Sequence, residues 1–187
     1  MAFFKQGEIR QRAQTHVNQK YRATAKSIVT ESMESYASWK QYDVFLSHST
    51  KDADIVLGVK LVLEELGKSV YIDWIDDAEL DRTNVTPETA SVLRDRMKSC
   101  SSLIFIATEN SSSSKWTPWE LGYFDGFKRG GVAIFPVLED WRSSFEGQEY
   151  LGLYPLVEKS DTLGNVEVNI KGSFRRRNLS DFIAGKT

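Results

Sequence analysis

Residues 101–126 read SSLIFIATENSSSSKWTPWELGYFDG. The run SLIFIAT, at about 102–108, is apolar, short and rich in branched and aromatic side chains, which predicts a strand buried on both faces. NSSSS predicts a polar loop, and KWTPWEL predicts a helix start. Thr117 suits the N-cap and Pro118 suits the first helical position, where a missing amide hydrogen leaves nothing unpaired. Glu120 then falls at N3 and completes a Thr-x-x-Glu capping box. Trp116 precedes that box and Trp119 lies within it, yet capping does not need them. Five tryptophans in 187 residues exceed what a small core requires.

The strand, loop and helix of this stretch recur on both sides of it. YDVFLS at about 42–47 reads as a buried strand, and DADIVLGVKLVLEELG at about 52–67 as an amphipathic helix stopped by Gly67. SVYIDW at about 69–74 is the next strand. IDDAELDRTNV at 75–85 lacks periodicity and predicts a loop, after which Thr86-Pro87-Glu88 opens a helix to about Ser99. The helix begun near Thr117 ends at Gly130-Gly131, and VAIFPVL at about 132–138 is a fourth strand. Strands alternating with helices, each a continuous apolar run, predict an α/β fold with a flavodoxin-like, doubly wound parallel sheet. Beyond Leu138 the sequence predicts a short helix and then an edge strand near Tyr154 to Glu158.

Before Tyr42 the pattern differs. From about Lys5 to Trp39 there is no proline and one glycine, and Ile9, Ala13, Val17, Tyr21, Ala25, Ile28, Val29, Met33, Tyr36 and Ala37 recur at steps of one, three and four. This predicts an N-terminal helical extension, residues 1–40, preceding a domain at 41–187 that includes a C-terminal tail. Its apolar stripe must dock on the domain behind it or on another copy of the chain.

Composition bounds the function. The 24 basic and 26 acidic residues leave a formal charge of -2, so no global field favours nucleic acid, and the run Arg175-Arg176-Arg177 is too short for such a role. One cysteine, Cys100, excludes an intramolecular disulfide and reads as a free buried thiol at a helix end. No stretch approaches the ~18 apolar residues of a membrane span, and the start lacks a signal-peptide core; the expectation is a cytoplasmic protein without a membrane partner.

In open parallel sheets ligands sit beyond the carboxyl ends of the strands. Those ends here are Ser47-His48-Ser49, the segment from Trp74 to Val85, and the serine loop leading to Trp116 and Glu120. No glycine-rich phosphate loop and no metal-ligand spacing is present, so neither a metal nor a bound cofactor is expected. His48 is the only histidine in a candidate loop, and a lone loop histidine is more often structural than a base. The edge does hold one carboxylate, Glu120, among the aromatic rings of Trp74, Trp116 and Tyr123. That set suits cleavage of an N-glycosidic bond to a cationic leaving group. Nicotinamide leaves neutral and needs no acid, so one carboxylate, kept ionised by a helix N-terminus, suffices to stabilise or capture the ribosyl cation. The aromatic faces would stack on the bases and meet the pyridinium ring. The alternative is that Glu120 is only a cap.

Tyr42-Asp43-Val44-Phe45-Leu46-Ser47-His48-Ser49, then Asp52, VYIDW, and the stretch from Ser101 to Gly126 resemble the Toll/interleukin-1 receptor (TIR) domain, specifically the compact stand-alone TIR proteins of bacterial antiphage defence. The resemblance runs from about Tyr42 to about Leu138. It implies NAD⁺ as substrate, with Glu120 of the Trp-x-x-x-Glu motif as the catalytic residue. Trp116 would line the nicotinamide pocket, and Ser47, His48, Trp74 and Tyr123 would be further substrate-binding residues. It also implies a nucleotide product, either ADP-ribose, a cyclic isomer or a conjugate. In Thoeris-type defence such a product activates a separate effector protein, and a homo-oligomer is the expected working form. Many relatives carry Pro-Gly in the loop after the second strand, where this chain has DDAELDRTNVTPE. A non-catalytic TIR adaptor binding other TIR domains, and an enzyme like the nucleoside deoxyribosyltransferases, are the other readings.

Overall fold

The computed structural model describes residues 2–19, 24, 25, 27, 41–72, 86–114, 116–128, 130–160, 165–170 and 176–186. Trp74, the predicted loop at 75–85 and nearly all of residues 20–40 lie outside them.

The strand predicted from SLIFIAT is β4, Cys100–Ala107, and it is the middle of five successive parallel strands in the sheet order. β2 (Tyr42–Ser47) pairs with it on one side and β5 (Val132–Leu138) on the other, both parallel. β3 (Val70–Ile72) adds outside β2, and β6 (Leu156–Lys159) outside β5. β7 (Val166–Asn169) and β8 (Arg176–Asn178) continue the sheet antiparallel, giving the order β3-β2-β4-β5-β6-β7-β8. The predicted edge strand, β6, is therefore internal. Its partner β7 begins at Val166, in a tail whose strands of three and four residues give too little periodicity to stand out in sequence. At the true edge, Arg176 is exposed, and a charged edge resists pairing with another chain.

Helices cover both faces. α2 (Ala53–Glu65) buries Ile55, Val56, Val59 and Leu63 against Val44, Leu46, Ile104 and Phe135. On the opposite face α3 (Pro87–Lys98) and α4 (Thr117–Lys128) supply Leu93, Met97, Leu121 and Phe124 to a layer with Phe45, Leu103, Phe105 and Ile134. α3 starts as its sequence predicts, with the Thr86 side chain accepting from the Thr89 amide and Pro87 next. α2 is stopped by Gly67 at φ 73°, and the chain leaves α4 through Gly130 and Gly131, also at positive φ, where other residues are strained. α5 (Leu179–Ile183) closes the chain on the α2 face.

A short strand precedes the helix expected from about Lys5. Residues Phe4–Lys5 form β1, parallel to the end of β5, with Phe4 opposite Val137 and Lys5 opposite Leu138. β6 pairs with β5 only at Ile134, so β5 has an open edge beyond it, and Phe4 packs its ring 4.6 Å from that of Phe135. No local pattern announces such a pairing. α1 (Gln6–Gln19) follows and buries Ile9 and Ala13 against α2. Gly58 permits the close approach, since a Cβ there would meet the Ile9 carbonyl oxygen at 2.3 Å. The described part of the apolar stripe thus docks on its own chain.

Cys100 is buried at the start of β4, just past α3, and its thiol donates to the Arg96 carbonyl. Desolvation pushes that thiol up to about 12.

Candidate active site

Ser47 closes β2 and Glu120 lies in the first turn of α4, and the parallel order brings both to the carboxyl edge of the sheet. Ser47 Oγ donates to Glu120 Oε2 at 2.6 Å, and each residue is 1% exposed. That distance suits a hydroxyl donating to an ionised oxygen.

Glu120 does not close a capping box. Its amide bonds to the Trp116 carbonyl at 2.9 Å, so the helix begins one residue earlier than the sequence predicts. Ser114 Oγ accepts from the Thr117 amide instead, and the Thr117 hydroxyl is buried without a hydrogen-bond partner among the described residues. The Glu120 carboxylate turns to β2 rather than back to the helix start.

His48 is buried, with Nδ1 2.8 Å from the Leu46 carbonyl oxygen. A carbonyl only accepts, so Nδ1 carries the proton and the ring is tethered to its own strand end. Trp116 is 6% exposed and meets Trp119 edge to face, with ring centroids 5.5 Å apart. Tyr123, half-buried, stacks on Trp119 and meets Phe127, while the Arg94 guanidinium lies over both Trp119 and Tyr123. The structure therefore brings Ser47, His48 and Glu120 to one edge and buries Trp116 beside them. It places Tyr123 in an aromatic row between α3 and α4. Trp74 lies outside the described residues.

Sequence reasoning assigned no role to Asp52. It is 5% exposed and accepts from Thr108 Oγ1 and Asn110 Nδ2, both at 2.6 Å. Its one signal was its place among the residues that carry the TIR resemblance, which gave it no role of its own.

A separate hollow of about 470 Å³ opens at the ends of β4 and β5, lined by Thr108, Glu109, Glu139, Arg142 and Phe145 among others. Arg142 reaches Glu109 and Glu139 across it. Glu120 does not line it. Among the described residues no cluster of three metal-ligating side chains occurs, and no helix is long and apolar enough to cross a membrane.

A family model described as the TIR domain matches residues 44–161, more than half of the chain. The chain is 52% identical over 147 residues to the probable 3′ cyclic ADP-D-ribose synthase ThsB′ of Bacillus cereus (strain MSX-D12), covering 78% of this chain and 76% of that one. It is 38% identical over 85 residues to the putative cyclic ADP-D-ribose synthase TIR2 of Cytobacillus dafuensis, covering 45% of this chain and 22% of the relative. It is 29% identical over 129 residues to the probable 2′ cyclic ADP-D-ribose synthase TcpO of Methanobrevibacter olleyae, covering 66% of this chain and 34% of the relative.

Proposed function

Since the chain belongs to the TIR domain family, we propose that it cleaves the nicotinamide–ribose bond of NAD⁺ and makes a cyclic isomer of ADP-ribose. The observation that carries this is the buried Glu120 carboxylate, held by Ser47 at the carboxyl edge of the sheet. The names of the three relatives support the cyclic product, and the likeness to ThsB′ favours closure at a 3′ position.

The C1′–N bond breaks and its electron pair stays on the pyridine nitrogen, so nicotinamide departs neutral without a general acid. The ribosyl carbon is left electron-poor, and the Glu120 carboxylate stabilises or captures it. A hydroxyl of the same ADP-ribosyl group then attacks C1′, breaking the bond to Glu120 where one has formed, and gives its proton to solvent, which closes the ring; water in its place gives ADP-ribose. The Ser47 hydroxyl stabilises the negative charge this role requires, against the cost of burying it. Trp116, His48, Trp74 and Tyr123 complete the proposed substrate-binding set, with no cofactor beside the substrate.

The product is read by a separate effector protein, and the working form is a cytoplasmic homo-oligomer. Because Ile9 and Ala13 are buried on α2, copies would meet through surfaces other than that part of α1. Sedimentation with and without NAD⁺ tests the oligomer.

The decisive experiment incubates wild type and Glu120→Gln with NAD⁺ and identifies products by mass spectrometry. The expected result is nicotinamide and a cyclic ADP-ribose from wild type, and neither from a variant whose stability changes by less than ~1 kcal/mol. Equal turnover by the two proteins refutes the role of Glu120.

A further inference from the structure

We propose that Asp52 is a positioning residue that fixes Glu120 against Ser47; this rests on the catalytic reading of Glu120. Asp52 stands at the N-cap of α2, where an aspartate ordinarily accepts from an amide in the first helical turn, yet its side chain makes no capping bond. Both carboxylate oxygens cross instead to the loop after β4, one to Thr108 Oγ1 and the other to Asn110 Nδ2. A local rule broken in favour of two tertiary contacts marks a site where something other than helix stability is specified.

The clamp joins the two loops that frame Glu120. On one side Asp52 follows Ser47 and His48 by a short turn, closed by the Asp52 amide on the Ser49 carbonyl. On the other, Thr108 follows β4 directly, and its hydroxyl accepts from the Ser111 amide. The 3-10 turn Asn110–Ser113 then leads to Ser114, whose hydroxyl accepts from Thr117 at the start of α4. β2 and β4 are neighbours, with Ser47 opposite Phe105, but the sheet ladder ends there. Beyond it the described side-chain links are the two bonds to Asp52 and a longer, exposed one from Lys51 to Ser113. Asp52 therefore sets how closely the loop that delivers Trp116 and Glu120 approaches Ser47.

The chemistry also says which substitution should be tolerated. Asparagine keeps one acceptor for Asn110 and can donate its amide to Thr108, because a hydroxyl serves either way. Alanine loses both bonds.

The test measures kcat and KM for NAD⁺ cleavage, per folded molecule, in full-length wild type, Asp52→Ala, Asp52→Asn and Asn110→Ala, with a crystal structure of Asp52→Ala. A shift of the order of an ångström in a reacting group costs up to about a hundredfold, so we expect kcat to fall about tenfold to a hundredfold in Asp52→Ala with KM within about threefold. Asp52→Asn should stay near wild type, Asn110→Ala should fall between, and the Ser47–Glu120 hydrogen bond should be broken in the crystal. Unchanged kcat with that bond intact, or Asp52→Asn as impaired as Asp52→Ala, overturns the proposal. Should Asp52→Ala not fold, Asn110→Ala and Thr108→Val decide by the same criteria. Should wild type cleave no NAD⁺, the proposed function fails, and the positioning role is then decided by whether the Ser47–Glu120 bond survives in the variant crystal.

Discussion

Ser47 Oγ donates a 2.6 Å hydrogen bond to Glu120 Oε2, joining residues 73 positions apart in the chain. Ser47→Ala would leave the carboxylate in its buried place without that donor. The expected cost is about 1–3 kcal/mol in urea unfolding, with NAD⁺ turnover falling in step. Wild-type stability and turnover together would mean that the hydroxyl is a bystander.

Trp116 belongs to the layer that includes Leu121, Phe124 and Phe105 and is nearly enclosed. Trp116→Ala is expected to lose about 3–5 kcal/mol, so lost activity in that variant reports on folding first. Trp116→Phe keeps an aromatic face at much smaller cost. Comparing its KM for NAD⁺ with wild type, after matched guanidinium melts, separates contact with substrate from packing.

A methyl group on Gly58 would meet the carbonyl oxygen of Ile9 at 2.3 Å and its Cγ2 at 2.6 Å. Gly58→Ala must therefore push α1 away from α2, and overpacking of this kind costs about 1–3 kcal/mol. Thermal melts should register the loss while sedimentation reports an unchanged mass. Val17, half-buried on the same core, is expected to behave alike when replaced by glutamate. A change of mass without a change of melting point would instead assign α1 to an interface.

Burial raises the Cys100 thiol from 9.0 to about 12 in the folded protein. The folded state then holds its proton where the unfolded chain has lost it, so this contribution to stability is complete below about pH 9 and is lost as pH rises towards 12. Maleimide labelling at pH 8 should be negligible until denaturant is added. Rapid labelling of native protein would show that the thiol is reached without unfolding.

The elements that the sequence announced are those whose signals are local. The Thr86-Pro87 start of α3, the stop of α2 at Gly67 and the apolar runs of β2, β4 and β5 each carry their own pattern within a few residues. β1, β7 and β8 are short strands defined by partners that the chain supplies elsewhere, so their residues look like any other loop or helix start. The site divides the same way. Glu120 stood out by its tryptophans and helix start, but the turn of its carboxylate from cap to Ser47 is a contact between residues 73 positions apart, which no local pattern carries. Asp52 was named in the resemblance, but its partners Thr108 and Asn110 lie 56 and 58 positions away, so no local pattern gave it a role.

The N-terminal strand has a consequence for the order in which the molecule is made. The amide of Gly7 bonds to the side chain of Asp140, 133 positions later, and Phe4 pairs with Val137 in the same corner. At ribosomal rates of about 5–20 residues per second, the segment waits on the order of ten seconds before its partner strand has been synthesised. For that interval the edge it will occupy does not exist, and Phe4 is without its final cover. Translation speed up to the end of β5 therefore sets how long a nascent chain presents Phe4 to chaperones.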